Sequence, residues 1–140
     1  MLTKHDIYSK INHDLYGPVG DLCRVVVDFL TSKEAKSLKH ITYVSLVNGT
    51  KLDVQNNDAK VLLIKVTDYL SSNRMHLLDM HFQYIESDDS DPIPVDDDDV
   101  SHALHTGKFY HPYSGQLVDN YNHYLFPYFT PTEALEELHE

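Results

Sequence analysis

Basic residues are almost absent from the second half of this 140-residue chain. Beyond Arg74 the only one is Lys108, against fourteen Asp and Glu residues, so residues 75–140 carry a formal charge of −13. Residues 1–74 are nearly balanced, with ten Lys or Arg and eight Asp or Glu, and the net charge is −11. This asymmetry argues against direct binding of nucleic acid or of an anionic membrane. It favours a basic partner protein, including one that itself binds nucleic acid.

Cysteine and glycine are also scarce, and long apolar runs are missing. The single cysteine, Cys23, excludes an internal disulfide, and its place in the apolar run 19–30 predicts a buried thiol. The five glycines form no phosphate-binding loop and no nucleophile motif, so no enzyme class is indicated and no cofactor is expected. No run approaches 18 apolar residues, and residues 1–6 do not resemble a secretory signal. We expect a soluble cytoplasmic protein.

The composition predicts a single globular domain over residues 1–140, because 41% hydrophobic residues suffice for one core. One segment could form an internal boundary. Residues 86–95 are polar and then contain Pro92 and Pro94, which interrupt regular structure. This boundary would separate an α+β core at 1–85 from an acidic and aromatic extension at 96–140.

Two helices are predicted at the N-terminus. Thr3 is placed to cap the first, whose apolar residues recur every four positions until Gly17 stops it. Pro18 suits the first turn of a second helix, which continues to Leu30 with a broad apolar face.

A β-hairpin is predicted at Asn48-Gly49, with strands at 41–47 and 51–54, because Asn-Gly supplies the two positive-φ residues of a type I′ turn. A helix capped by Asn57 or Asp58 would follow and extend to Leu70. Alternating residues at 76–84 predict a further strand in the hairpin's sheet. The fold class is therefore α+β, with a small antiparallel sheet built on the hairpin. Winged-helix modules also combine helices with a hairpin, but here the hairpin precedes the third helix and the acidic charge does not suit DNA.

The C-terminal extension is expected to be irregular. A short helix should begin near Asp96 and stop at Gly107, and residues 111–115 have the composition of a turn. Thr130 is placed as the cap of a last acidic helix, with Pro131 in its first turn and Glu133 completing a capping box.

The acidic residues of this extension allow three interpretations: a solvated surface, a surface that captures a basic protein, and a calcium site. The order of residues 88–92 lacks the alternating ligands and the central glycine of a calcium loop. Capture of a basic protein would use the carboxylates together with exposed tyrosines as apolar anchors. The candidate partner-binding residues are Asp88, Asp89, Asp91, Asp96, Asp97, Asp98, Asp99, Tyr121, Tyr124 and Tyr128.

Histidines are numerous, ten in all, and three of them are weak candidates for a metal site. His102 and His105 are three residues apart on the predicted short helix, and His111 could return to them after the Gly107 turn. The alternative is that they are ordinary surface histidines.

The leading functional hypothesis is a non-enzymatic acidic protein that binds a basic surface of a partner, including as an inhibitor that mimics nucleic-acid charge. In composition it is similar to small acidic virus-encoded inhibitors. A first alternative is a structural or assembly subunit that docks through its Tyr/Phe-rich C-terminal segment. A second is a His/Asp metalloenzyme.

Overall fold

The computed structural model describes residues 2–53 and 55–139. The strands are β1 (Leu78–Tyr84), β2 (Ile93–Val95), β3 (Phe109–Tyr110), β4 (Leu117–Val118) and β5 (Leu125–Pro131). Single 3₁₀ turns occur at Lys33–Ala35 and Tyr121–His123. The α-helices are α1 (Lys4–Asp14), α2 (Gly17–Leu30), α3 (Tyr43–Thr50), α4 (Asn57–Leu70), α5 (Asp97–Thr106) and α6 (Glu133–Glu137).

The predicted α+β class is confirmed. One antiparallel sheet has the strand order β2-β1-β5, and a second consists of β3 and β4. The chain forms two compact units: unit 1 is Met1–Asp79 with Phe129–Glu140, and unit 2 is Met80–Tyr128. Residues 86–95, the candidate boundary, lie within unit 2. Among the described residues, no helix is both long enough and apolar enough to cross a membrane.

The two N-terminal helices are confirmed, with their predicted signals. Thr3 caps α1 through a reciprocal capping box with Asp6, and Pro18 lies in the first turn of α2. Helix α2 packs against α1, α3 and α4 and forms the centre of unit 1. Cys23 is fully buried there, and burial raises the pKa of its thiol to about 12.

The predicted Asn48-Gly49 hairpin is wrong, because residues 43–50 form helix α3. Thr42 caps α3 in a capping box with Ser45, a helix-start signal that competes with the β-branched composition of this segment. Gly49 serves close packing instead of a turn: a Cβ at this position would fall within 3.0 Å of the Phe29 ring. Val54, the end of the predicted second strand, lies outside the described residues.

Helix α4 and strand β1 are confirmed. The cap of α4 is Asn56, one residue before the predicted pair, and its side chain accepts a hydrogen bond from the Asp58 amide at 2.9 Å. Strand β1 pairs with β2 and lies between β2 and β5, not in a hairpin at Asn48. Pro94 is tolerated in β2 because β2 is an edge strand, where a missing N–H need not break the ladder.

A backbone bridge joins the segment before α3 to strand β5. Ile41 forms an antiparallel bridge to Phe129 of β5, with backbone hydrogen bonds of 2.8 and 2.6 Å. Helix α2, this bridge, helices α3 and α4, and then strands β1 and β5 follow one another.

Unit 2 has a hydrophobic core of its own. Its buried members come from β1, β2, α5 and β3, namely Tyr84, Val95, Val100, Ala103 and Phe109. Helix α5 begins and ends as predicted, with Asp96 before its first turn and Gly107 at its end in the left-handed conformation, φ +75°.

The predicted cap of the last helix is displaced by two residues. Thr132, not Thr130, precedes α6 and accepts a hydrogen bond from the Leu135 amide. Residues 125–131, expected to be irregular, form strand β5 up to Pro131. The Thr132 amide also donates to the Leu77 carbonyl at 3.1 Å, so the local capping signal at Thr130 is overridden by pairing with a distant segment.

Candidate functional site

Four carboxylates crowd the start of α5 in unit 2. Asp96 occupies the N-cap position but makes no side-chain capping bond, and Asp97, Asp98 and Asp99 form the first turn. All four side chains are exposed. The positive end of a helix dipole is equivalent to about half a charge, so it cannot offset four carboxylates. Most of this negative charge is therefore available to a ligand.

The other three aspartates of the predicted set lie elsewhere on unit 2. Asp88, Asp89 and Asp91 are exposed in the loop that connects β1 to β2. Because β2 lies between Asp91 and Asp96, the chain path between these two residues is about 17 Å when extended. The seven aspartates are thus divided into two groups at opposite ends of a strand and do not form one evenly spaced row.

An open groove of about 400 Å³ lies beside Asp96 and Asp99. We call it the acidic groove. Its remaining walls come from β2, β3 and the turn after β3, and they are aromatic, aliphatic and proline side chains: Ile93, Pro94, Val95, Phe109, Tyr110, Pro112 and Tyr113. The groove therefore combines two carboxylates with two exposed tyrosines.

Strand alternation and a tight turn position these tyrosines. Phe109 points into the core of unit 2 and is 2% exposed, whereas Tyr110, on the opposite face of β3, is 48% exposed. Tyr113 is 80% exposed on the turn between β3 and β4. The His111 ring holds this turn, because its Nδ1 accepts hydrogen bonds from the amides of Tyr113 and Ser114 at 3.1 and 3.2 Å. An exposed aromatic ring on a fixed turn loses little conformational entropy on binding.

His111 is fully engaged in this structural role. Since backbone amides only donate, Nδ1 must be an acceptor, and the proton of the neutral ring is on Nε2, which lies 2.8 Å from Glu86 Oε1. The ring also meets Tyr84 edge-on at 5.0 Å. Neither nitrogen is left to bind a metal or to accept a substrate proton.

The other two histidine candidates lie on the exposed surface of α5. His105 Nδ1 contacts the Ser101 carbonyl at 2.8 Å, one turn earlier on the same helix, and His102 is exposed. Among residues 2–53 and 55–139 no group of three or more His, Cys, Asp or Glu is arranged to hold a metal ion. The metalloenzyme hypothesis gains no support from this arrangement.

The three predicted partner-binding tyrosines lie away from the acidic groove. Tyr121 and Tyr124 pack against the core of unit 2, and Tyr121 donates a hydrogen bond to the Ala103 carbonyl. Tyr124 lies 5.8 Å from the ring of Tyr84, whose pKa is raised chiefly by burial and secondarily by Glu86. Tyr128 is half-buried, with its ring 5.3 Å from that of His81. Much of the surface of these rings is therefore used within unit 2.

Sequence reasoning did not single out Tyr110 and Tyr113. The available signals were the turn composition of 111–115, which favours exposure of Tyr113, and the alternation along β3, which puts Phe109 and Tyr110 on opposite faces without saying which face meets the core. Of the predicted residues, the structure brings Asp96 and Asp99 to the groove. Comparison of the chain with protein-family models, curated proteins and solved structures gave no match.

Proposed function

We propose that this protein is a non-enzymatic binding protein that captures a lysine- or arginine-bearing segment of a basic partner in the acidic groove. The observation that carries the proposal is the placement of Asp96 and Asp99 beside Tyr110 and Tyr113 in one open groove. Among the described residues neither carboxylate has an ion-pair partner, whereas the neighbouring Asp97 lies 3.6 Å from His81 Nδ1.

The chemistry of the groove suits a cationic side chain. The carboxylates can form charge-assisted hydrogen bonds with a guanidinium or ammonium group, and the tyrosine rings attract the same cation through their faces. The aliphatic stem of lysine or arginine can pack on Pro94 and Pro112. Arginine fits best, because its planar group both stacks on a ring and bonds a carboxylate in two places.

The remaining carboxylates of unit 2 would act at longer range. Residues 80–128 contain nine carboxylates and one lysine, a formal charge of −8. Such a field increases the rate of encounter with a basic surface, and the effect falls with salt. Partners with exposed basic clefts include nucleic-acid-binding proteins, so inhibition of such a protein in the cytoplasm belongs to this proposal.

The test uses a fluorescein-labelled arginine-rich peptide and fluorescence anisotropy. We expect the D96N/D99N variant to bind about tenfold more weakly than the natural protein, because it loses the groove carboxylates. The D88N/D89N variant removes the same charge from the other end of β2 and is the matched control, with an expected loss of about twofold. Replacement of Tyr110 and Tyr113 by leucine should weaken binding without any change of charge.

Two results would contradict the proposal. Equal losses in D96N/D99N and D88N/D89N would mean that the peptide responds to net charge alone. Unchanged affinity after both tyrosines are replaced would mean that the peptide does not bind in the acidic groove.

A further inference from the structure

Unit 1 carries a second groove, of opposite character, between α3 and α4. Its volume is about 480 Å³, and its walls are Tyr43, Val44 and Val47 from α3 and Leu63 and Ile64 from α4. We call it the apolar groove. It shares no residue with the acidic groove.

The floor of the apolar groove is fixed while its rim is exposed. The Tyr43 hydroxyl lies 3.2 Å from Thr67 Oγ1, and the Tyr43 ring meets Phe129 edge-on at 5.6 Å. Leu63 is buried, whereas Val44 is 67% and Ile64 is 47% exposed. The groove is thus preformed, and its rim residues contribute little of their apolar surface to the core. Val61 of α4 does not line the groove, but it is 50% exposed and lies one turn before the rim residue Ile64, so it extends the exposed apolar surface beyond the groove.

One charged residue, Lys60, lines the apolar groove. It is exposed, and among the described residues it has no ion-pair partner. Asp58, the nearest carboxylate in sequence, is two positions away and so points from a different side of α4. An apolar groove with an unpaired cation at its rim is complementary to an apolar surface that bears a carboxylate.

The length of the groove limits the occupant. Its α3 wall runs from Tyr43 to Asn48, six residues whose Cα atoms span about 7.5 Å along the helix axis. Two side chains at positions i and i+4 of a helix are about 6 Å apart along their axis, so they fit this length. We propose that the apolar groove binds an acidic amphipathic helix of a partner protein, with two apolar anchors at i and i+4 and a carboxylate one turn away that meets Lys60.

Other occupants fit less well. A small ligand would cover only the groove, whereas the exposed apolar surface continues past it to Val61. Such an extended apolar surface is typical of a protein interface. A second copy of this chain packed groove against groove would bring two Lys60 side chains together, and its groove lining would supply no carboxylate to meet them. This proposal does not depend on the function of the acidic groove.

The test uses a labelled alanine-based peptide with the pattern Glu-x-x-Leu-x-x-x-Leu-x-x-Glu and its neutral counterpart with Gln in both Glu positions, which carries no cation for the acidic groove. We expect the natural protein to bind the Glu peptide about threefold more tightly than the Gln peptide, and K60E to reverse this preference. K65E makes the same charge change on α4 outside the groove lining and should leave the preference intact. I64Q should weaken both peptides, with near-ultraviolet circular dichroism used to verify that each variant is folded.

Three results would overturn the proposal. The first is failure of the folded natural protein to bind the Glu peptide. The second is an equal effect of K60E and K65E on peptide preference, which would show that Lys60 has no special place. The third is self-association of the natural chain in sedimentation that I64Q abolishes, because a second copy would then occupy the groove.

Discussion

Asp14 shows how one side chain fastens the end of α1 to the region of α4. Its Oδ2 accepts hydrogen bonds from Arg74 Nε and from the Tyr69 hydroxyl, both at 2.7 Å, and its Oδ1 accepts one from Arg74 Nη2 at 3.0 Å. The Arg74 hydrogen bonds, followed by that of Tyr69, lower the pKa of Asp14 from 3.8 to about 2. Burial and the same carboxylate raise the pKa of Tyr69.

A pH dependence of stability follows from this lowered pKa. Because the folded state favours the ionised carboxylate, Asp14 stabilises the fold fully above its unfolded pKa, near 4, and this contribution is lost as the pH falls towards 2. We expect D14N to lower the free energy of unfolding at about pH 6, and the difference from the natural protein to shrink between about pH 4 and about pH 2. Urea unfolding at several pH values measures it.

The exposed carboxylate of Asp68, on α4, provides the control for this experiment. D68N should not reproduce the pH-dependent difference, because Asp68 lacks the Arg74 and Tyr69 contacts of Asp14. A D14N profile that runs parallel to that of the natural protein across the acid range would contradict the assignment.

Among the elements, helix α3 is where local sequence and packing disagree most. Gly49 lies in the last turn of α3 opposite the Phe29 ring of α2, and an added Cβ would be too close to that ring. Alanine would favour the helix by about 1 kcal/mol, but overpacking costs about 1–3 kcal/mol. We therefore expect G49A to lower the free energy of unfolding by up to about 2 kcal/mol in urea titration.

Two further variants test whether the ring is the cause. N48A, at the exposed neighbouring position of α3, should change stability by no more than about 0.5 kcal/mol. F29L removes the ring edge, so the G49A and F29L changes should be less than additive when combined. A stabilised G49A protein would mean that helix propensity, not packing, dominates at this position.

The elements that sequence predicted well are those with cooperating local signals. Helix α1 has a cap and a four-residue apolar spacing, α5 has an acidic start and a final glycine, and β1 has strict alternation. The hairpin predicted at Asn48-Gly49 was wrong because Gly49 is required for close packing against the Phe29 ring. Phe29 lies twenty residues earlier in the chain, so this contact is visible only in the fold. Strand β5 was missed because Phe-Pro-Tyr resembles a turn, and its pairing with β1 and Ile41 is a long-range contact.

The candidate site, too, was predicted only in part from the sequence. The acidic start of α5 was evident from the sequence, and Asp96 and Asp99 do line the groove. Which tyrosines line the groove was not evident from the sequence, because this depends on which face of the two-residue strand β3 meets the core. Tyr121 and Tyr124 lie in the aromatic-rich part of the sequence, which made them the stronger candidates. In the structure they pack against the core of unit 2, whereas Tyr110 and Tyr113 remain exposed.

At the scale of the whole molecule, the chain runs through unit 1, then unit 2, and returns to unit 1. Unit 2 is inserted between Asp79 and Phe129, so unit 1 is built from both ends of the chain. The Ile85 amide donates to the Tyr124 carbonyl at 2.9 Å, which places the two ends of residues 86–123 side by side in an antiparallel pair. A short turn can therefore replace that segment without stretching the strands.

This arrangement predicts a separable unit 1. Its buried residues come from α1 to α4, the start of β1, the end of β5 and α6, whereas unit 2 has its own core cluster. We expect a chain in which an Asn-Gly turn replaces residues 86–123 to retain its helical circular dichroism and to unfold cooperatively. It should keep its preference for the Glu peptide and lose the arginine-rich peptide, because the acidic groove is removed. Retention of arginine-peptide binding would place the basic ligand on unit 1, whereas loss of the fold itself would show that residues 86–123 complete one cooperative structure and are not a separable insertion.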